Sequence, residues 1–339
     1  MRIGQNPAKA GIKAPRPKRL GIFTVTYVPN QEGYFTESLQ IIKIVLTALR
    51  QHTSESFDLC VFDNGSCAEV QQELIRLNQV GVIDTLTLSH QNIGKMGAMN
   101  WQIAAMRNEW IVFTDSDFYF RKGWLEESLR LAESFPAAAL ITAQPNIFDQ
   151  LEGTSQVALH LDKFGLKTSM EKLDRDVVED YCRGIGASAE NTQKFLASDC
   201  LIIENPTTQV KAVFGACTAQ FLGRRKHLQQ FFPTSAEYLI AREEDNEISR
   251  RVDALDLLQI STLRPYVVHI GNHLDENILA EISMDGLDTP EVSRMDESLK
   301  YKSNTAWRFL AYLNRIPFMR KMLKRLYVNL FELYSIGKR

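Results

Sequence analysis

The run Glu109-Trp-Ile-Val-Phe-Thr-Asp-Ser-Asp-Phe-Tyr119 constrains the fold of this 339-residue chain more than any other stretch. Ile111, Val112, Phe113 and Thr114 are β-branched or aromatic, the composition of a buried strand. Asp115 and Asp117 follow at once, with one residue between them. A buried strand that ends in paired acids sets hard oxygen atoms at the rim of a sheet. In open α/β sheets the carboxyl-end rim is where ligands bind. A small set of oxygen donors suits Mg²⁺ or Mn²⁺ that keeps water and phosphate as its other ligands. An isolated Asp-x-Asp is also a good capped turn, so the surrounding pattern has to choose between the two readings.

That pattern alternates. Leu20 to Val28 is a first apolar strand, and Phe35 to Gln51 follows with helical spacing at Leu39, Ile42, Ile44, Leu46 and Leu49. Phe57 to Phe62 is a second strand and Cys67 to Gln79 a helix. Val82 to Leu88 is a third strand, Gly94 to Asn108 a helix, and the strand of the opening run is the fourth. A helix from Trp124 to Phe135 and a strand from Ala138 to Ala143 complete this half. Strands alternating with helices predict an α/β fold with a doubly wound, mainly parallel sheet. From Gln144 to Ala212 the periodicity fades and no elements are assigned. Gly184-Ile-Gly-Ala-Ser-Ala189 is a loose dinucleotide fingerprint, but no clean strand precedes it, so the match is read as chance. Order resumes with Val213 to Leu222, a helix over Glu243 to Val252 and a strand from Arg264 to Ile270. The expected domains are a basic tail over 1–19, a catalytic domain over 20–275 (20–143 and 144–275 as its halves), and a linker with a helical tail over 276–339.

Composition removes several functions. A net charge of −2 provides no global field for nucleic acid. Five cysteines, an odd number without a CxxC pair, argue against a disulfide framework and against a zinc site. No apolar run approaches ~18 residues and the amino terminus lacks a secretory core. A soluble protein of a reducing cytoplasm is the expectation.

Four polar clusters recur where strands end or helices begin: Asp63-Asn64-Gly65-Ser66; Asn92, Gly94, Lys95 and Asn100; Asp115-Ser116-Asp117; and Glu244-Asp245. Each alone is a good turn or helix start. In this order the chain resembles the GT-A glycosyltransferases of the large inverting family 2, over roughly Gly21 to His273. Val61-Phe-Asp-Asn-Gly-Ser66 is similar to that family's base-and-ribose motif, and Asn92-Ile-Gly-Lys95 with Asn100 to its N-x-G…N segment. Asp115-Ser-Asp117 resembles its DxD. Arg242-Glu-Glu-Asp-Asn-Glu-Ile-Ser-Arg250 resembles its E-D-x-x-L-x-x-R helix, with Ile248 for the Leu. Phe214-Gly215 and Phe221-Leu-Gly-Arg-Arg225 fit its acceptor-side segment.

The resemblance implies a nucleotide-sugar donor, UDP- or GDP-linked, a divalent cation (Mn²⁺ or Mg²⁺), and a saccharide or lipid-linked acceptor hydroxyl. Thr24, Thr26 and Tyr27 then line the nucleotide pocket, with Asn64, Asn92, Gly94, Asn100 and Ser116 around it. Asp63 accepts from base or ribose, and Lys95 sits near the phosphates or is an ordinary helix-start lysine. Asp115 contacts ribose or a metal-bound water. Asp117 binds the ion, and the strand-end His269 either completes its shell or is a satisfied rim histidine; His273 is the weaker candidate. Asp245 is the general base that inversion requires, with Glu244 beside it. Glu243 makes a third consecutive acid, so the register is open by one, and Arg250 and Arg251 pair with these acids. The synthase motif Q-x-x-R-W is absent, which favours single-sugar transfer.

From Ala306 the tail carries eight basic residues against Glu332 alone, interleaved with aromatics. Such helices lie on anionic membrane surfaces, here the inner face, or pack on the domain or in a homodimer. The competing functions are a sugar nucleotidyltransferase, which would need a Gly-rich basic loop where Thr26-Tyr-Val-Pro-Asn30 stands, and a non-catalytic carbohydrate- or partner-binding protein.

Overall fold

The computed structural model describes residues 16–147, 157–235, 243–287 and Met322, with the side chains of 157–160 and 243–245 outside the description. The basic tail up to residue 15 and the aromatic tail beyond 287, other than Met322, therefore lie outside the described residues. The chain divides into Met1–Thr289 and Pro290–Arg339.

The first half follows the alternation of the sequence: β1 (Leu20–Thr26), α1 (Ser38–His52), β2 (Phe57–Asp63), α2 (Ala68–Gln79), β3 (Thr85–Leu88), α3 (Lys95–Ala105) and β4 (Trp110–Asp115). The strands lie in the order β3-β2-β1-β4 and all are parallel. Chain order runs outward from β1 to β3 on one side and jumps to β4 on the other. The carboxyl ends of β1 and β4 therefore flank a topological switch point, where a crevice opens. Side chains alternate across a strand, so Phe113 and Asp115 share the face that α3 covers. Phe23, Phe113 and Phe221 stack there with centroids 5.0 and 5.7 Å apart, over Met96, Met99 and Ile103 of α3.

The second half is woven differently. After β5 (Phe118–Phe120), α4 (Trp124–Ser134) and β6 (Ala138–Thr142) come β7 (Lys167–Glu171), α5 (Arg175–Gly184), α6 (Ala189–Ala197), β8 (Cys200–Glu204) and β9 (Lys211–Phe214). Then follow β10 (Gln220–Arg224), α7 (Arg225–Phe231), α8 (Glu243–Ala254), β11 (Leu258–Ser261), β12 (Val267–His269) and α9 (Glu276–Met284). The sheet continues β4-β10-β6-β11-β9-β8-β7, with β10 antiparallel to both neighbours. Only β6 and β11 are parallel in this half. Among its described residues the unassigned stretch 144–212 thus holds a 3-10 turn, β7, α5, α6, β8 and the start of β9, around a satellite core of Ile147, Tyr181, Phe195 and Ile202. Val213 to Leu222 is two strands and a turn.

The strand expected over Arg264–Ile270 is the three-residue β12, and Leu258–Ser261 is a separate buried strand. Past residue 275, where the catalytic domain is expected to end, the chain forms α9. That helix is fastened by Tyr119 Oη donating to Asp285 at 2.6 Å and by Arg121 to Glu281 at 2.5 Å.

Candidate active site at the carboxyl-end rim

β4 ends at Asp115, and the chain turns through Ser116 and Asp117 straight into β5. β5 pairs antiparallel with β12, which sets His269 opposite Phe118. The amide of Ile270 donates to the Asp117 carbonyl at 2.8 Å and closes the ladder. A residue 152 positions away is thereby delivered to the acidic turn: His269 Nε2 lies 3.1 Å from Asp117 Oδ2. Its other nitrogen, Nδ1, donates to the Gly184 carbonyl at 3.1 Å. A ring nitrogen held by a backbone carbonyl fixes the imidazole so that Nε2 addresses the site, as in metal-ligating histidines. Burial opposes the His269 cation, but the hydrogen bond and charge of Asp117, with Asp115 behind it, carry its pKa above the ordinary value. Asp117 Oδ1 is buried with no hydrogen-bond partner. A carboxylate oxygen left orphaned at a rim is costly, and an arriving cation would satisfy it.

Asp115 is half-buried and paired with Lys95, whose Nζ lies 2.9 Å from it. Burial raises the Asp115 pKa and the charge of Asp117 adds to this, while Lys95 opposes both. Lys95 opens α3 and also sits 5.1 Å above the Phe113 ring, because Phe113 and Asp115 share a face of β4. It is oriented by the loop before it. Asn64 donates to Asn92 Oδ1 at 2.9 Å and to the Gly94 carbonyl at 3.1 Å, and accepts from the Ile93 amide at 2.8 Å. Gly94 has φ +79°, the left-handed region that glycine tolerates. Asn64, Asn92 and Gly94 thus form a brace behind Lys95.

Other candidates are placed differently from expectation. Asp63 is wholly buried, and its carboxylate accepts from Thr26 Oγ1 (3.0 Å), the Ser66 amide (3.1 Å) and Gln71 Nε2 (2.9 Å). As the chain stands it locks the β1 and β2 ends together. Thr24 is also wholly buried, its hydroxyl inside the sheet without a partner; Tyr27, half-buried, is nearer the rim. Asn100 faces the other way, exchanging hydrogen bonds with the backbone of Thr234 at 2.8 and 2.9 Å. It holds the segment leading toward α8, one turn of helix too far from Lys95 to share its task. Arg224 and Arg225, expected on the acceptor side, sit at the opposite end of the sheet. β10 runs antiparallel to β4, so Gln220 pairs with Thr114 at the rim and Arg224 with Trp110 at the far end. His273 pairs with Glu37 at 2.8 Å, away from the acids. Gly184 is the last residue of α5 rather than the start of a helix after a strand.

Glu244 and Asp245 fall in the first turn of α8; their side chains lie outside the described residues. The helix itself is anchored by buried Ile248 and Val252. Arg251 pairs with Glu247 at 2.6 Å and donates to the carbonyls of Phe231 and Pro233. Among the described residues no group of three His, Cys, Asp or Glu ligands is assembled; the site offers Asp117 and His269. Beside His269 a cavity of about 220 Å³ is lined by Phe118, Gln144, Asn146, Tyr181, Ile185 and Cys217, among others, with no Asp, Glu, Lys or Arg. Sequence reading missed Gly184 and this pocket. The Gly-Ile-Gly was visible, but its role depends on a contact 85 residues away.

Residues 34–190 match the family model described as glycosyl transferase family 2. The matched span includes Asp63, Asn92, Asp115 and Asp117 and ends before α8 and His269. No curated protein matches the chain. Among solved structures the chain is similar to a mannosyltransferase, PcManGT from Pyrobaculum calidifontis, in complex with GDP-Man and Mn²⁺. Identity is 12%, coverage 76% of this chain and 60% of that one, and the TM-score 0.43. It thus spans about three fifths of that protein's length. It is also similar to S. aureus TarS 1-349, at 14% identity, 88% and 81% coverage and a TM-score of 0.42. For that protein in complex with UDP the figures are 17%, 38% and 36%, and 0.31. No described helix is long and apolar enough to cross a membrane.

Proposed function

Residues 34–190 carry a glycosyl transferase family 2 domain on a GT-A fold, and from that premise we propose that the chain is a metal-dependent, inverting transferase. It moves one sugar from a nucleoside-diphosphate sugar to a saccharide or lipid-linked hydroxyl. The observation that carries this reading is the pair at the switch point: Asp117, with one buried oxygen unpartnered, facing a histidine whose other nitrogen is fixed by Gly184.

These residues fit a divalent cation. Asp117 Oδ1 lacks a donor, and His269 has its Nδ1 occupied so that Nε2 would be the ligating atom. Two protein ligands leave room for phosphate oxygens and water, the habit of Mg²⁺ and Mn²⁺. When bound, the ion offsets charge that develops on the departing diphosphate. Lys95, braced by Asn64, Asn92 and Gly94, adds a fixed positive charge beside it. Asp115 holds Lys95 in place, and its carboxylate would accept from ribose or from water held by the ion. Tyr27 and the β1 end border the nucleotide, and Ser116 offers a hydroxyl and an amide in the acidic turn.

The uncharged cavity beyond His269 suits a neutral sugar ring, with amides of Gln144 and Asn146 for hydroxyls and Tyr181 for an apolar face. Asp245 takes the proton from the acceptor hydroxyl as that oxygen attacks the anomeric carbon opposite the leaving group. Glu244 supports the acceptor. The basic aromatic tail carries the membrane contact or a homodimer contact. A thermal-shift series with UDP- and GDP-linked sugars, with and without Mn²⁺, tests the reading. A donor at ~100 times its Kd stabilises the fold by ~2.7 kcal/mol. No shift with any donor in either condition overturns it.

A further inference from the structure

At the far end of the sheet from the acidic rim, a cleft of about 380 Å³ is lined by Arg107, Arg224, Arg225 and Lys226, with Glu109 and Gln229 among its other walls. Strand direction assembles it. Arg107 precedes β4, while β10 runs antiparallel and delivers Arg224 opposite Trp110, with Arg225 and Lys226 just after. The Arg225 amide donates to the Glu109 carbonyl at 2.9 Å and locks the two walls together. Arg224 lies 4.4 Å over the Trp110 ring, within only 4.0 Å of Glu109.

Elsewhere in this chain cations are matched to carboxylates at short range: Arg19 to Glu55 at 2.8 Å, Arg50 to Asp84 at 2.7 Å, Arg121 to Glu281 at 2.5 Å, Arg130 to Glu127 at 2.6 Å. At the cleft the rule lapses. Four cations face one acid, and among the described residues no carboxylate lies within 4.0 Å of Arg107, Arg225 or Lys226. Arg225 instead meets an amide, that of Gln229, whose oxygen would accept at 3.2 Å from Nε and Nη2 with the amide rotated by half a turn. Clustered like charges cost stability unless a counter-ion joins them. Guanidinium forks with free donors match phosphate oxygens in pairs.

We propose that this cleft is a second anion site, separate from the sugar-transfer centre, which binds phosphate-bearing ligands through Arg107, Arg224, Arg225 and Lys226. It stands about 17 Å from the acidic turn, the length of a six-residue strand. One bound diphosphate therefore cannot serve both ends. The inference does not depend on the reaction proposed for the rim.

The test is calorimetric titration of the full chain with pyrophosphate in EDTA. Vesicles of phosphatidylglycerol or phosphatidylcholine in a co-sedimentation arm distinguish a headgroup from a free phosphate. Binding that weakens as salt rises is expected. The Arg107→Ala/Arg225→Ala variant should lose about tenfold or more in affinity, while Asp117→Ala changes nothing. Gln229→Glu, at an exposed position, adds a competing carboxylate without removing a cation and should weaken binding as well. Binding confined to phosphatidylglycerol vesicles and lost in the double variant assigns the ligand as a headgroup. Binding of neither probe, binding unchanged in a folded double variant and in Gln229→Glu, or binding abolished by Asp117→Ala overturns the site.

Discussion

The two ends of β4 obey opposite electrostatic rules. At the carboxyl end two acids sit in a half-buried turn, and each faces a basic group: Lys95 for Asp115, His269 for Asp117. At the amino end Arg107, Arg224, Arg225 and Lys226 line a cleft in which Glu109 is the one acid among the described residues. Under the proposed function one end receives positive charge, and under the further inference the other receives negative. The difference arises from strand direction. Parallel neighbours bring the loops after β1, β2 and β4 to one rim, whereas antiparallel β10 carries its terminal arginines away from that rim. A charge motif contiguous in sequence can therefore belong to the end of the sheet its strand runs toward, whatever lies beside it in the chain.

The comparison breaks most readily at Asp117. Asp117→Ala should abolish both sugar transfer and donor hydrolysis, because the proposed ion loses its carboxylate ligand. The fold should persist, since Asp117 Oδ1 has no hydrogen-bond partner and Oδ2 meets the rim imidazole of His269, outside the core. Full turnover by this variant in EDTA would remove the metal from the rim. The next largest effect is expected at Asp245. Asp245→Asn should lower kcat by roughly 10²–10⁴, the contribution of a positioned base, and leave donor affinity near its original value. Loss confined to kcat marks an interaction made in the transition state. The fresh glycoside should show an inverted anomeric centre by NMR. Greater damage from Glu244→Gln would move the base by one residue.

Asp63 sharpens the contrast between acids that receive ligands and acids that hold the frame. Its carboxylate serves three protein donors and has no exposed surface. Asp63→Ala strands the Ser66 amide and the Thr26 hydroxyl, and should cost about 2–3 kcal/mol in denaturant unfolding. Nucleoside-diphosphate affinity that falls while stability holds would return Asp63 to the ligand-contact role its motif implies.

These placements show where sequence reading runs out. β1, β2 and β4 were legible because apolar runs bounded by turn residues have few other uses, and the acids after Thr114 could only fall at a rim. Asp63 looked like its neighbours in sequence, yet its partners at 26, 66 and 71 are fixed by how β1 meets β2. β5 and β12 are three residues each, too short for a period to register, although they alone bring His269 to Asp117. β7 is exposed at nearly every position, as an edge strand of mixed charge is, and so showed no alternation. The direction of β10, which separates Arg224 from the acceptor side, leaves no trace in composition.

The smallest expected effect lies in the support of the rim. Tyr119 belongs to β5, is wholly buried, and donates to Asp285 just past α9 at 2.6 Å. Burial works to raise the Asp285 pKa, but the Tyr119 hydroxyl, Lys122 and His52 prevail and hold it below the ordinary carboxylate value. Tyr119→Phe should cost about 1 kcal/mol, a typical single hydrogen bond. The sign of its pH dependence follows from linkage. A carboxyl whose native pKa is depressed contributes stability that is present above its unfolded value and is lost as pH falls through the native value. The gap between wild type and Tyr119→Phe should therefore be full at neutral pH and shrink below about pH 4. Urea unfolding at both ends of that range measures it. A gap of the same size in acid would mean that the phenol stabilises the rim through packing and not through Asp285. The carboxyl end of the sheet would then owe less to paired charge than its contrast with the amino end implies.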